Sequence, residues 1–217
     1  TDPGLGRGGV KGIGISCGGP LDSHRGLILS PPNLPGWDHV PMAAIMEKRF
    51  GIPARLENDA NACAVAEWKF GAGRGCRNMV FFTFGTGLGA GLILDGRLYS
   101  GTNDLAGEAG HLRLADQGPV GFGKAGSFEG FCSGGGIAQL AVASRRAWRK
   151  AGRKPGPLDP LPNGALTAKA VAEAAEKGDP LAKAIFEESC TMLGKGLSLI
   201  IDLLNPERIV LGSIYAR

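Results

Sequence analysis

This 217-residue chain has few cysteines and none of the spacings that hold metal or build a disulfide framework. Cys17, Cys63, Cys76, Cys132 and Cys190 are far apart and odd in number, and no Cys-x-x-Cys pair occurs. A reducing compartment suits such usage. No apolar stretch reaches the roughly 18 residues of a membrane helix, and no leader pattern is legible. A cytoplasmic location without membrane partners is therefore expected. Neither sign of charge dominates: 24 basic against 20 acidic residues leave +4. Arg145, Arg146, Arg149, Lys150, Arg153 and Lys154 form the one basic run. It closes a predicted helix, where cations suit the dipole, so a solvated helix end is expected rather than a nucleic-acid surface. Aromatics are sparse, at 6%. The 37 glycines follow no fixed period, which excludes a fibrous chain. Gly-Lys-Ser/Thr is absent, which excludes a P-loop. The chain opens on Thr1 rather than Met and is expected to be part of a longer product.

What is present is an ordinary globular balance, 43% apolar and 20% charged, with punctuation that places the elements. Lys11 to Ser16 reads as a buried strand. Pro41 opens a helix that Gly51 closes. A short strand over Ala54 to Glu57 runs into a helix capped by Asn58 or Asp59. Met79 to Phe84 is strongly apolar and reads as a strand. Beyond Gly85 to Gly91, Leu92 to Leu94 and Arg97 to Tyr99 flank Asp95-Gly96, a hairpin signal. Ser133 caps a helix reaching about Ala151. Thr167 caps another that ends near Gly178. Asp179-Pro180 starts a longer one reaching Asn205, and Arg208 to Leu211 is the next strand. Strands with helical crossovers plus a hairpin-rich stretch indicate the α/β class.

Four segments can carry chemistry. Glu57 to Asn61 packs two carboxylates and two amides into a strand-to-helix junction. A carboxylate there can take a proton from a hydroxyl; Asn and Asp are also preferred cap residues, the stronger reading of this segment alone. Gly85 to Gly91 fits the G-x-G-x-x-A pattern through Gly85, Gly87 and Ala90, yet strand rather than helix follows, so a dinucleotide fingerprint is rejected. Two readings stay open: a phosphate-holding hairpin with the Thr86 hydroxyl, or a sheet with glycine bulges. Glu108 and His111 stand three apart in a glycine-rich turn, which suits a polyhydroxyl ligand or a satisfied turn histidine better than a metal. Lys124 reads as solvated rather than phosphate-bound, and Glu129 is ambiguous by itself.

Taken in order, these segments resemble the ROK family of sugar kinases and related repressors. The match runs through Gly12 to Ile15, Gly19-Pro20, Pro32 to Trp37, Glu57 to Asn61, Gly85 to Gly91, Ala106 to His111 and Asn205-Pro206 to Leu211-Gly212. Single motifs are weak; their order and spacing are specific, and they span nearly the whole chain. The resemblance implies an actin-like, hexokinase-like (ribonuclease H-like) two-lobed fold, with residues 1–58 as the remainder of an N-terminal lobe and 59–217 as part of a C-terminal lobe. It implies ATP and Mg²⁺ with a hexose substrate, first of all glucose at its 6-hydroxyl, and a homodimer. Asp59 would be the general base. Asn33, Asn58, Glu108, His111 and Glu129 would hold the sugar, and Gly85, Thr86 and Gly87 would face the nucleotide phosphates.

The chain also departs from that pattern. Where many relatives carry the zinc motif C-x-C-G-x-x-G-C-x-E, it has Val120, Phe122 and Ser127, with Glu129 retained. Structural zinc needs about four ligands, so none is expected, and apolar contacts of Val120 and Phe122 are expected to hold the loop instead. The family's first phosphate motif, Asp-x-Gly-Gly-Thr, does not occur, and Ser213 replaces the usual second glycine near the end. These features suggest truncation at both ends, and the chain by itself is expected to show little kinase activity. A repressor with an added helix-turn-helix, or a non-catalytic sugar-binding protein, is the competing reading.

Overall fold

The computed structural model describes residues 9–214. The chain divides into two compact units, Thr1–Phe81 with Gly91–Gly107, and Phe82–Ala90 with Glu108–Arg217.

In the first unit β1 (Ile13–Cys17) precedes the short strands β2 (Leu21–Asp22) and β3 (Leu27–Ile28), helix α1 (Met42–Phe50), strand β4 (Ala54–Asn58) and helix α2 (Asp59–Phe70). Strands β1 and β4 pair in parallel, Ile13 opposite Ala54 and Cys17 opposite Asn58. Parallel pairing requires a crossover, and α1 lies in it. Pro41 sits at the start of α1, and Gly51 ends it in the left-handed conformation, φ 69°, where glycine costs least. Leu21, Ile28 and Leu56 form a small buried cluster, with Ile15, Cys17, Val40 and Met42 packed on it.

Strands β5 (Met79–Phe84) and β6 (Leu88–Leu94) are each crossed by the division between the units. Strand β7 (Arg97–Tyr99) is antiparallel to β6, with Leu92 opposite Tyr99. Asp95 and Gly96 both take positive φ, 52° and 73°, the primed turn that matches strand twist. The sheet order is β10-β5-β6-β7, where β10 is Arg208–Ser213.

The second unit adds β8 (Val120–Gly121), β9 (Lys124–Ala125), α3 (Phe128–Cys132), α4 (Gly134–Lys150), α5 (Ala168–Glu176) and α6 (Pro180–Leu204). Its core is aromatic. The Phe82 ring lies 5.9 Å from those of Phe84 and Phe128, the latter edge-on, and all three are fully buried. Burying each is worth about 1.5–3 kcal/mol. Helix α6 packs on α3, α4 and α5. Side chains of Ser127, Ser133, Thr167 and Asp179 accept from the first turns of α3 to α6, each cap worth about 1 kcal/mol. Asn205, φ 43°, ends α6.

Five residues of the basic run, Arg146, Arg149, Lys150, Arg153 and Lys154, are exposed, as expected of a solvated helix end, and Arg145 departs from it. Arg145 is 6% exposed. Its guanidinium donates to the carbonyls of Leu158, Asp159 and Leu161 and to Asn163 Oδ1. Arg149 Nε bonds Asp159 Oδ1 at 2.7 Å, which holds that carboxyl below its ordinary range. Arg153 lies over the Trp148 ring at 4.4 Å. These cations clip the proline-rich segment after α4 onto the unit. A guanidinium's planar fork of donors suits a cluster of carbonyls. Among the described residues no helix is long and apolar enough to cross a membrane.

Candidate functional site

In the first unit the site forms where β4 becomes α2. Asn58 is the cap: its Oδ1 accepts from Ala60 N at 2.9 Å and Asn61 N at 3.3 Å. Asp59 is the first helical residue and is exposed. Its Oδ1 accepts from Ala60 N at 2.9 Å. Glu57 Oε1 accepts from Asn58 N at 2.9 Å and from Asn61 Nδ2 at 3.0 Å, so this second carboxylate braces the turn. Asn61 is 1% exposed, with no partner for its Oδ1. The Asp59 charge is felt nearby. Burial pushes the thiols of Cys17 and Cys63 up, and the Asp59 carboxylate adds to the shift in both. Asn33 lies exposed in the turn between Pro31 and Trp37.

In the second unit Glu129 stands in the first turn of α3. Its Oε2 accepts from Leu88 N at 2.9 Å, across 41 positions of chain. Three glycines close around it. A Cβ on Gly87 would lie 2.8 Å from Glu129 Oε2, one on Gly121 would lie 2.7 Å from Glu129 Cβ, and one on Gly110 would lie 3.3 Å from that Cβ. At Gly121 a side chain would also meet the Gly130 amide nitrogen at 2.6 Å, so glycine is required there, while at Gly87 and Gly110 it leaves the Glu129 side chain room. His111 ends the single-turn helix Ala109–His111, and its Nε2 lies 3.4 Å from Glu108 Oε2. Its carbonyl accepts from Lys124 Nζ at 2.8 Å. Lys124 is thus bonded within the loop, contrary to the expected solvated lysine. A part-buried ammonium needs an acceptor.

One residue before Gly87, the glycine turn changes sides. Gly85 and Thr86 line a hollow of about 410 Å³ with Gly134, Gly135, Ala138, Thr167, Ala168 and Lys169, within the size range of ligand pockets. The first amides of α4 do not serve it as donors. Gly134 N bonds Gly85 O at 2.8 Å, Gly135 N bonds Thr86 O at 3.2 Å, and Gly136 N bonds Ser133 Oγ at 3.0 Å. They tie the turn to the helix instead. The start of α5 also lines the hollow, through Thr167, Ala168 and Lys169, with Lys169 Nζ 3.8 Å from Glu173 Oε1. Sequence reasoning missed the contributions of α4 and α5. The visible signal was the run Gly134-Gly135-Gly136, which is unfavourable in a helix by propensity and marks close backbone approach. Gly85 to Gly87 form a bend after β5, while Leu88 to Gly91 already belong to β6.

The residues in the zinc-motif positions do not fit zinc. Val120 and Phe122 offer no ligand atom, and Ser127 Oγ accepts from Gly130 N at 3.0 Å as the cap of α3. Among the described residues no three His, Cys, Asp or Glu gather as a metal cluster. The expected apolar packing is only half right. Val120 is 46% exposed, and its backbone is held by both ends of the Gln139 amide, at 2.9 and 2.8 Å. Phe122 is 70% exposed, and its ring stacks on His111.

The sequence profile of the ROK family matches residues 6–215. The chain is 34% identical over 203 residues to a glucokinase of Halalkalibacterium halodurans, covering 93% of this chain and 60% of that one. A xylose repressor of Caldicellulosiruptor bescii is 31% identical, with 94% and 50% covered. A ROK family glucokinase from Streptomyces griseus, solved in complex with glucose and AMPPNP, superimposes with a TM-score of 0.76 at 33% identity, covering 94% of this chain and 65% of that one. The α/β, hexokinase-like class expected from the sequence is that of these neighbours. The chain spans about 60% of the glucokinase it matches.

Proposed function

This chain belongs to the ROK family, and from that premise we propose that the full protein is an ATP-dependent hexose kinase acting on glucose or a related hexose. In this reading the sugar O–H gives its proton to the Asp59 carboxylate as the oxygen bonds the γ-phosphorus. The bond from that phosphorus to the bridging oxygen breaks, and ADP leaves with the electron pair. Asn33, Asn58, Glu108, His111 and Glu129 bind the remaining hydroxyls, and Gly85, Thr86 and Gly87 face the nucleotide phosphates. Mg²⁺ enters as part of the Mg-ATP substrate, since no carboxylate lines the hollow. Such catalysis rests on positioning and electrostatics. The lobe boundary at residues 58/59, a homodimer and a cytoplasmic location belong to the same proposal.

The observation that carries it is the glycine turn. Gly85 and Thr86 line an open hollow of about 410 Å³, while Gly87 backs onto the Glu129 carboxylate. In this reading the donor and acceptor sites share a three-residue turn. The likeness to a xylose repressor supports a second reading, a sugar-responsive repressor or non-catalytic sugar sensor. A coupled ADP-release assay of the full-length protein with Mg-ATP and a hexose panel separates them. Turnover with one sugar supports the kinase; sugar binding without turnover moves the assignment to the sensor.

A further inference from the structure

We infer that Phe122 is a positioning residue for His111, holding the imidazole in one plane for a sugar hydroxyl; this rests on the hexose-binding reading above. Phe122 occupies the tip between β8 and β9, flanked by Gly121 and Gly123, with φ +46°. L side chains rarely adopt that region, and an outlier there asks for a functional reason. Asn or Gly would suit the turn better. Burial supplies no reason for the ring either, since it is 70% exposed. What the ring does contact is His111, face to face, with centroids 4.6 Å apart and planes 19° apart.

The same hairpin fixes the histidine twice. Lys124 Nζ holds its carbonyl at 2.8 Å, and Phe122 holds its ring. Glu108 Oε2 lies 3.4 Å from Nε2. Rotation of an imidazole about its terminal torsion is broad. A stacked neighbour restricts it, so both ring nitrogens stay in one plane. Freedom removed before binding is not lost on binding. The contribution therefore falls on sugar affinity and not on the chemical step.

The test uses the full-length protein. Phe122→Ala should weaken hexose binding by about three- to ten-fold, the span of an aromatic stack, with kcat within about two-fold of wild type. Phe122→Tyr and Phe122→Trp should restore affinity. Phe122→Asn, which suits the backbone but lacks the ring, should behave like alanine. Independently, the His111 ring-proton NMR signals, assigned by their loss in His111→Gln, should move downfield in Phe122→Ala as the ring current disappears. Unmoved signals, or equal affinity in wild type and Phe122→Ala, would overturn the inference and leave the kinase reading standing. A wild-type protein that binds no hexose, with the His111 shift still present, would overturn the proposed function and this inference with it.

Discussion

Asp59 and Glu129 are both carboxylates in the first turn of a helix, and their surroundings are opposite. Asp59 heads α2 in the open, with Oδ1 on the adjacent Ala60 amide. Glu129 is partly buried, crowded by three glycines and bonded to an amide 41 residues away. Helix N-termini favour negative charge in either case. The difference lies in what else fixes the group. A carboxylate that is to receive a proton must present an accessible oxygen. One that is to hold a ligand gains from being fixed beforehand. Under the proposed function, reaction would fall to the residue set by local capping and binding to the residue set by tertiary contact.

Substitution can break that contrast. Asp59→Asn should lower turnover by about 10²–10⁴-fold, the range for losing a general base, measured as kcat with saturating hexose and Mg-ATP. Wild-type turnover would remove Asp59 from its role. Glu129→Ala should act on binding, weakening hexose affinity by about 1.5–3 kcal/mol, the range for a hydrogen bond to a charged group, as read by calorimetric titration. Ser127→Ala removes the α3 cap, whose Oγ accepts from Gly130 N. It should cost about 1 kcal/mol, seen as a lower urea midpoint at unchanged slope.

The smallest effect concerns Cys63, whose thiol is raised by burial and then by the charges of Asp59 and Glu67. The thiolate is the reactive form, so a raised thiol reacts more slowly at a given pH. Asp59→Asn removes one raising charge. Alkylation of Cys63 by iodoacetamide should then speed up, with its pH profile moving to lower pH; an unmoved profile would place the carboxylate elsewhere.

Much of the fold was legible because punctuation residues act locally. Asn58, Ser133, Thr167 and Asp179 cap the helices expected of them, and Gly51 and Asn205 end theirs in the left-handed region. Short elements were not legible. Helix α3 has five residues, and β2, β3, β8 and β9 have two each, too few to show a period. Arg145 read as surface charge because its acceptors are backbone carbonyls at Leu158, Asp159 and Leu161, which carry no sequence signal. The junction at Asp59 was visible as a cap segment. The hollow was not, because it joins a turn at Gly85 with helix starts near Gly134 and Thr167, and only folding brings those together.

The most direct measurement is a calorimetric hexose titration of Asp59→Asn beside Glu129→Ala in the full-length protein. The division of roles predicts that Asp59→Asn binds within a few-fold of wild type while Glu129→Ala loses about tenfold or more. Equal losses in the two variants would contradict it, placing Asp59 among the groups that hold the sugar.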